Sequence, residues 1–315
     1  ILMISQRERT QAPKERNPGG PVKLCIGGIG FFLAWPDPGM VGPPLPFYQP
    51  FEGEGKETIR LRVRCDDCPD FSRTHPIFDA EQHWRLYRQD SRYIFEIFDT
   101  LTKERNIVAF VTDDFQEAEV YVFPVSSEHS PRPWFLPRLM QPLGQLLLVN
   151  RLSRFGGVMV HALGIDDSGR GMVFVGPSGA GKSTLGGLWR RHAAVRILSD
   201  ECLILRHLGG RLYAYGSPWS GLQLNVTPHP GPVEVQRIFF IGHHPEHRVW
   251  DEPKGTFASH LFSQLFLPFW DRTAINCALE FCQQLVLKTP CQRLGFSKNP
   301  SIVDFLRNAK TGGTR

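Results

Sequence analysis

The sequence predicts an α/β protein in which a β-rich N-terminal domain precedes a P-loop domain with a mixed sheet. Three observations carry this. Short apolar or alternating runs separated by Pro, Gly and Asp fill residues 22–125. A proline-marked break follows at 126–133. Beyond it, Val173, Phe174 and Val175 run into a glycine-rich loop that opens a helical pattern.

In order along the chain, residues 1–21 offer almost nothing to bury and read as a disordered lead. Strands are expected over 22–26, 31–35, 58–63, 84–87, 93–98, 107–111 and 119–123. In the third of these, Ile59, Leu61 and Val63 alternate with Arg60, Arg62 and Arg64, the pattern of a strand with one dry and one wet face. That arginine row is a solvated face and needs no nucleic acid to explain it. Residues 22–133 therefore form the first domain and 134–315 the second, which starts with helical spacing over 134–152. Two β-rich runs, 157–165 and 171–175, are joined by Asp166, Asp167, Ser168, Gly169 and Arg170, a turn composition that predicts an antiparallel hairpin. A helix over 183–192, strands over 195–206, 211–215 and 235–241, a helix-rich stretch at 257–287 and a last helix at 301–308 complete the expectation.

Composition narrows the class of protein. The chain has 315 residues, 41% hydrophobic and 21% charged, which is the make-up of a folded globular protein with a sizeable core. A formal charge of +5 is a mild excess and gives no argument for a nucleic-acid partner. No uncharged apolar run reaches the length of a membrane span, and residues 1–21 lack an apolar signal core, so a cytoplasmic protein is expected. Seven cysteines without framework spacing fit packed thiols in a reducing compartment.

Gly176-Pro177-Ser178-Gly179-Ala180-Gly181-Lys182-Ser183-Thr184 matches G-x-x-x-x-G-K-[ST] at every required position. The glycines let backbone N–H groups face phosphate oxygens, Lys182 brings a cation to the β and γ phosphates, and the Ser183 hydroxyl is placed to hold Mg²⁺. ATP is the expected nucleotide, with GTP left open. Asp200 and Glu201 follow a strand-like run eighteen residues after Lys182, so one helix returns the chain to a strand beside the loop strand and brings two carboxylates near the phosphates. Phosphoryl transfer needs such groups, one toward the metal, here Asp200 with Ser183, and one to accept a proton.

With hairpin, loop and acid pair assembled, residues 157–241 resemble the HPr kinase/phosphorylase-like P-loop proteins, kin to phosphoenolpyruvate carboxykinases. The matched elements are His161 in Val160-His161-Ala162, the loop, and Asp200-Glu201. The resemblance implies a mixed-sheet kinase domain that transfers the γ-phosphoryl group of ATP to a serine-type hydroxyl, with Asp200 and Glu201 sharing metal and base duties and His161 assisting. Glu201 and Thr184 stand where that family usually has Asp and Glu, and no clear copy of the segment tied to the reverse reaction is present. The β-rich first domain and Gly216-Ser217-Pro218-Trp219-Ser220-Gly221 are more similar to HPr-kinase-like proteins of peptide natural-product cassettes, including the SynChlorMet type. A peptide, protein or small hydroxyl acceptor is implied. A nucleotide-dependent switch without transfer is the rival from another class, and self-association into a homo-oligomer stays open.

Four further features stand apart from the loop and the acid pair. Arg237 offers paired donors to a transferred phosphoryl group, or else a surface ion pair. Trp219 covers the nucleotide or packs in a core. Cys65 and Cys68, with His75 and His83 downstream, form a single C-x-x-C without a zinc template. His243, His244 and His247 lie in a polar stretch where solvation explains them.

Overall fold

The computed structural model describes residues 20–36, 46–124, 135–192, 195–219 and 227–309. Over these the protein is α/β, with two mixed sheets and few helices.

The first sheet contains β1 (Val22–Ile26), β2 (Ile29–Ala34), β3 (Glu57–Arg64), β4 (Pro76–Asp79), β5 (Trp84–Gln89), β6 (Arg92–Phe98), β7 (Arg105–Thr112) and β8 (Glu117–Val122), in the order β1-β2-β3-β8-β7-β6-β5-β4. The pairs β2–β3 and β3–β8 are parallel and the others antiparallel. Alternation sets its faces: Ile59, Leu61 and Val63 are buried, and Arg60, Arg62 and Arg64 are exposed. The edge strand β4 was not legible, because a four-residue strand opening on Pro76 carries too short a pattern.

The helical spacing after the break becomes α1 (Phe135–Leu139), a wide turn at Met140–Gly144 and α2 (Gln145–Arg154). The interruption falls at Gln141, whose backbone is extended (φ −133°, ψ 111°) ahead of Pro142. The proposed boundary at 133 is crossed by packing. Leu139, Met140, Leu143, Leu147, Leu148 and Leu152 share one core with the first sheet, with Met159, Cys202, Ile204 and Tyr215 of the second, and with Trp219 beyond β13. Arg206, itself buried, also donates to the Gly27 carbonyl at 2.8 Å.

The second sheet contains β9 (Gly157–Asp167), β10 (Arg170–Val175), β11 (Val195–Ser199), β12 (Cys202–Leu208), β13 (Arg211–Tyr215), β14 (Val233–His243), β15 (Arg248–Trp250), β16 (Leu265–Phe266) and β17 (Cys291–Phe296). Interspersed are α3 (Lys182–Trp189), α4 (Lys254–Phe262), α5 (Arg272–Lys288) and α6 (Ile302–Asn308). The expected hairpin is β9–β10, turning on Ser168 (φ 57°) and Gly169 (φ 87°), the left-handed pair of a two-residue hairpin loop. The first half of β9 lies between β12 and β16, and its second half between β10 and β11. On the other side β10, β14 and β17 run parallel, so their carboxyl ends open together where the glycine loop begins. Three strands, β15, β16 and β17, were missed. β16 interrupts the expected helix-rich stretch, and the other two are short runs whose partners are distant in sequence.

Each face of this sheet has its own core. Val158, Val160, Val173, Val175, Ile238 and Phe240 pack under α4 and α5, whereas Leu163, Ile165, Phe174, Phe239 and Ile241 pack under α3 and α6. Helix α6 is pinned through Arg307, which donates to buried Asp167 at 2.7 and 3.0 Å, with Arg170 adding a third bond at 2.8 Å. Those bonds, Arg307's first, hold the Asp167 carboxyl below its ordinary value of 3.8. The stabilisation is therefore complete above that value and is lost as pH falls through the lower folded one. Asp167→Asn is expected to lower unfolding free energy by about 2 kcal/mol at neutral pH, read by urea denaturation, with the deficit shrinking as pH falls below 3.8.

Candidate functional site

Gly176 to Gly181 link β10 to α3, so the strand, loop and helix succeed one another as the sequence predicts. Gly179 (φ 80°) and Gly181 (φ 102°) occupy the left-handed region that a side chain resists. A Cβ on Gly181 would come within 2.8 Å of the Phe296 ring, and one on Gly176 within 2.9 Å of Ala180 Cβ. Pro177, Ser178 and Ala180 complete the loop, and Ala180 N–H donates to the Pro177 carbonyl at 3.1 Å. Lys182, only 6% exposed, turns back over the loop and donates to the carbonyls of Gly176 at 2.6 Å and Pro177 at 3.1 Å. Ser183 and Thr184 lie half-buried in the first turn of α3, where backbone N–H groups have no helical acceptor.

The acid pair reaches this loop by a different route from the expected one. The strand carrying it does not lie beside β10, because β9 stands between them. Asp200 and Glu201 form the break between β11 and β12, both antiparallel to β9. Ala162 of β9 pairs with Val175, the last residue before the loop, on one side, and its N–H donates to the Glu201 carbonyl at 3.3 Å on the other. Loop and acids thus flank one residue, at about 5 Å to each side. His161 adjoins that residue, and its Nε2 lies 3.4 Å from Glu201 Oε2. The sheet register about β9 brings together the loop, His161 and the Asp200–Glu201 break.

Burial pushes the His161 imidazole below its ordinary value of 6.5, and Lys182 pushes it further, against the opposing pull of Glu201 and Asp200. Its neutral form is favoured at neutral pH. Burial likewise lowers the Lys182 ammonium, and Glu201 and Asp200 oppose the shift. All four groups therefore act on one another electrostatically. Asp200 is 3% exposed, whereas the Glu201 side chain is 43% exposed, which leaves Glu201 the accessible carboxylate of the pair.

A cavity of about 550 Å³ lies over the loop, at the carboxyl ends of the parallel strands, a volume suited to a mononucleotide. It is lined by the loop with His243, His260, Gln264 and Arg293. None of these four was singled out as a loop partner from the sequence. Arg293, on the missed strand β17, sits 3.2 Å from His260 Nδ1 through Nη1 and brings a guanidinium into the cavity. His243 Nε2 lies 2.8 Å from the Gly179 carbonyl and fixes the loop tip. The Gln264 carbonyl accepts from His161 N–H at 2.8 Å, joining this wall to the acid site.

Arg237 is a correction. Its guanidinium donates to the carbonyls of Ala309 at 2.9 Å and Leu306 at 3.4 Å and to Gln292 Oε1 at 2.8 Å, and it stacks on the Phe239 ring. It closes the carboxyl end of α6 rather than facing the loop. Trp219 is buried in the shared core, and Ser220 and Gly221 lie outside the described residues, as do 126–133 and 1–19. His243, His244 and His247 point to three different partners, Gly179, Glu246 and Ser301. Cys65 and Cys68 are free thiols.

Among the described residues no cluster of three or more His, Cys, Asp or Glu could by itself hold a metal ion. The donors at the loop are hard oxygens, the Ser183 hydroxyl and the Asp200 carboxylate, a set that fits Mg²⁺ completed by phosphate oxygens and water. No helix among the described residues is long and apolar enough to cross a membrane. No family model and no curated protein matches the chain.

Proposed function

We propose that the protein is a kinase that uses Mg²⁺ and ATP to phosphorylate a serine-type hydroxyl of a peptide or protein. The observation that carries this reading is the convergence on Ala162, with the phosphate loop on one side, Glu201 on the other and His161 adjoining. ATP occupies the cavity over the loop, its phosphates held by the loop N–H groups and the amino end of α3. Lys182 exchanges its bonds to the Gly176 and Pro177 carbonyls for bonds to phosphate oxygens. Ser183 and Asp200 would hold Mg²⁺, which supplies charge neutralisation on the phosphates. The acceptor hydroxyl enters beside Glu201, which takes its proton as oxygen attacks the γ phosphorus. A new O–P bond forms, the bond to the β–γ bridging oxygen breaks, and ADP leaves. Neutral His161 orients the Glu201 carboxylate beside it.

The test is ADP release in a coupled assay, with and without a pool of synthetic serine peptides. Acceptor-dependent release that disappears when serine is replaced by alanine is the expected result. Nucleotide binding with no acceptor-dependent turnover on any hydroxyl pool or host extract would contradict it.

A further inference from the structure

A second cavity, of about 350 Å³, lies where the two sheets meet. Its walls are Trp84 and Phe78 of the first sheet, Leu146 and Val149 of α2, Leu265 and Phe266 of β16, and Trp270. The aromatic wall is tightly built: Phe78 and Trp84 stack at 5.0 Å, and Trp270 meets both edge-on at 5.4 Å. One feature marks it as a place for an occupant rather than a closed core. Phe266 and Phe269 at its rim are 37% and 62% exposed. An apolar lining with an exposed apolar rim asks for an aromatic or aliphatic group.

Three links join this cavity to the acid site. Met159 lines it and lies two residues before His161 on the same face of β9, about 7 Å away. Gln145 also lines it and donates to Cys202 Sγ at 3.7 Å, and Cys202 directly follows Glu201. β16 lines it and is preceded by Gln264, whose carbonyl accepts from His161 N–H. Among the described residues β16 pairs with β9 alone.

The geometry points to this cavity as the acceptor subsite of the kinase, taking a large apolar or aromatic side chain of an extended peptide about two residues from the phosphorylated serine. The inference rests on the proposed kinase reading for its orientation and on the cavity for its chemistry. The serine hydroxyl of the same peptide reaches Glu201.

The experiment measures binding without nucleotide, so it does not depend on turnover. Fluorescein-labelled serine peptides carrying Phe two residues before or after serine, and matched Ala peptides, are titrated with the full chain and followed by anisotropy. The Phe peptide is expected to bind about tenfold or more tightly than its Ala counterpart. Ala80→Trp, which fills the cavity, and Phe269→Ala, which trims an exposed rim residue, should each reduce that preference. Equal binding of the two peptides to the native chain, or a preference that survives Ala80→Trp in a protein with native melting behaviour, would overturn the assignment. Phosphorylation of serine peptides regardless of anchor would also sink the subsite and leave the kinase standing. Anchor-dependent binding without turnover would do the reverse.

Discussion

Glu201→Gln is expected to lower the rate of phosphoryl transfer about 10²- to 10⁴-fold while ATP affinity stays within a few fold. The substitution keeps shape and removes only the capacity to accept a proton. Because the Glu201 side chain is 43% exposed and lies at a break between strands, folding does not depend on its charge. The neighbouring His161 sharpens the expectation. Burial and Lys182 hold its imidazole below 6.5, so the native rate profile should be flat across neutrality and fall only on the acid side, where His161 takes up a proton. Glu201→Gln should lower the plateau of that profile. A variant that transfers phosphate at the native rate would remove Glu201 from the mechanism.

Lys182→Ala is expected to weaken ATP binding about tenfold to a hundredfold, the cost of losing charge-assisted bonds to phosphate. Calorimetric titration reads it directly. The native ammonium is also bonded to the Gly176 and Pro177 carbonyls, so its removal loosens the loop. Lys182→Arg separates the two effects: it restores charge but not the compact tip, and should recover part of the affinity without the native transfer rate. Unchanged affinity in Lys182→Ala would mean that the nucleotide does not sit on this loop.

Much of the site was legible because it is local. The loop between Val175 and Lys182, the hairpin turning on Ser168 and Gly169, and the acids eighteen residues beyond Lys182 are short-range patterns that spacing exposes. What spacing did not expose is pairing. The insertion of β9 between the loop strand and the acid strand follows from the register of residues 162, 175 and 201, which no local periodicity encodes. Arg293 and Gln264 reach the cavity from strands and turns far along the chain, so their roles depend on the completed sheet. Arg237 illustrates the opposite error. An arginine on a strand parallel to the loop strand sits in the right sheet, yet alternation turns it toward α6, where carbonyls at 306 and 309 take its donors. Packing also crosses the boundary at 133, because the apolar stripe of α2 has two sheets to cover and closes one core between them.

The most direct measurement is to follow the γ-labelled phosphoryl group of Mg²⁺-bound ATP in host extract, with native protein and Glu201→Gln side by side. Label on a serine-containing peptide or protein with the native chain, and its near-absence with the variant, is the predicted result. Label appearing only as inorganic phosphate, or equally with both proteins, would contradict a phosphotransfer site built on Ala162.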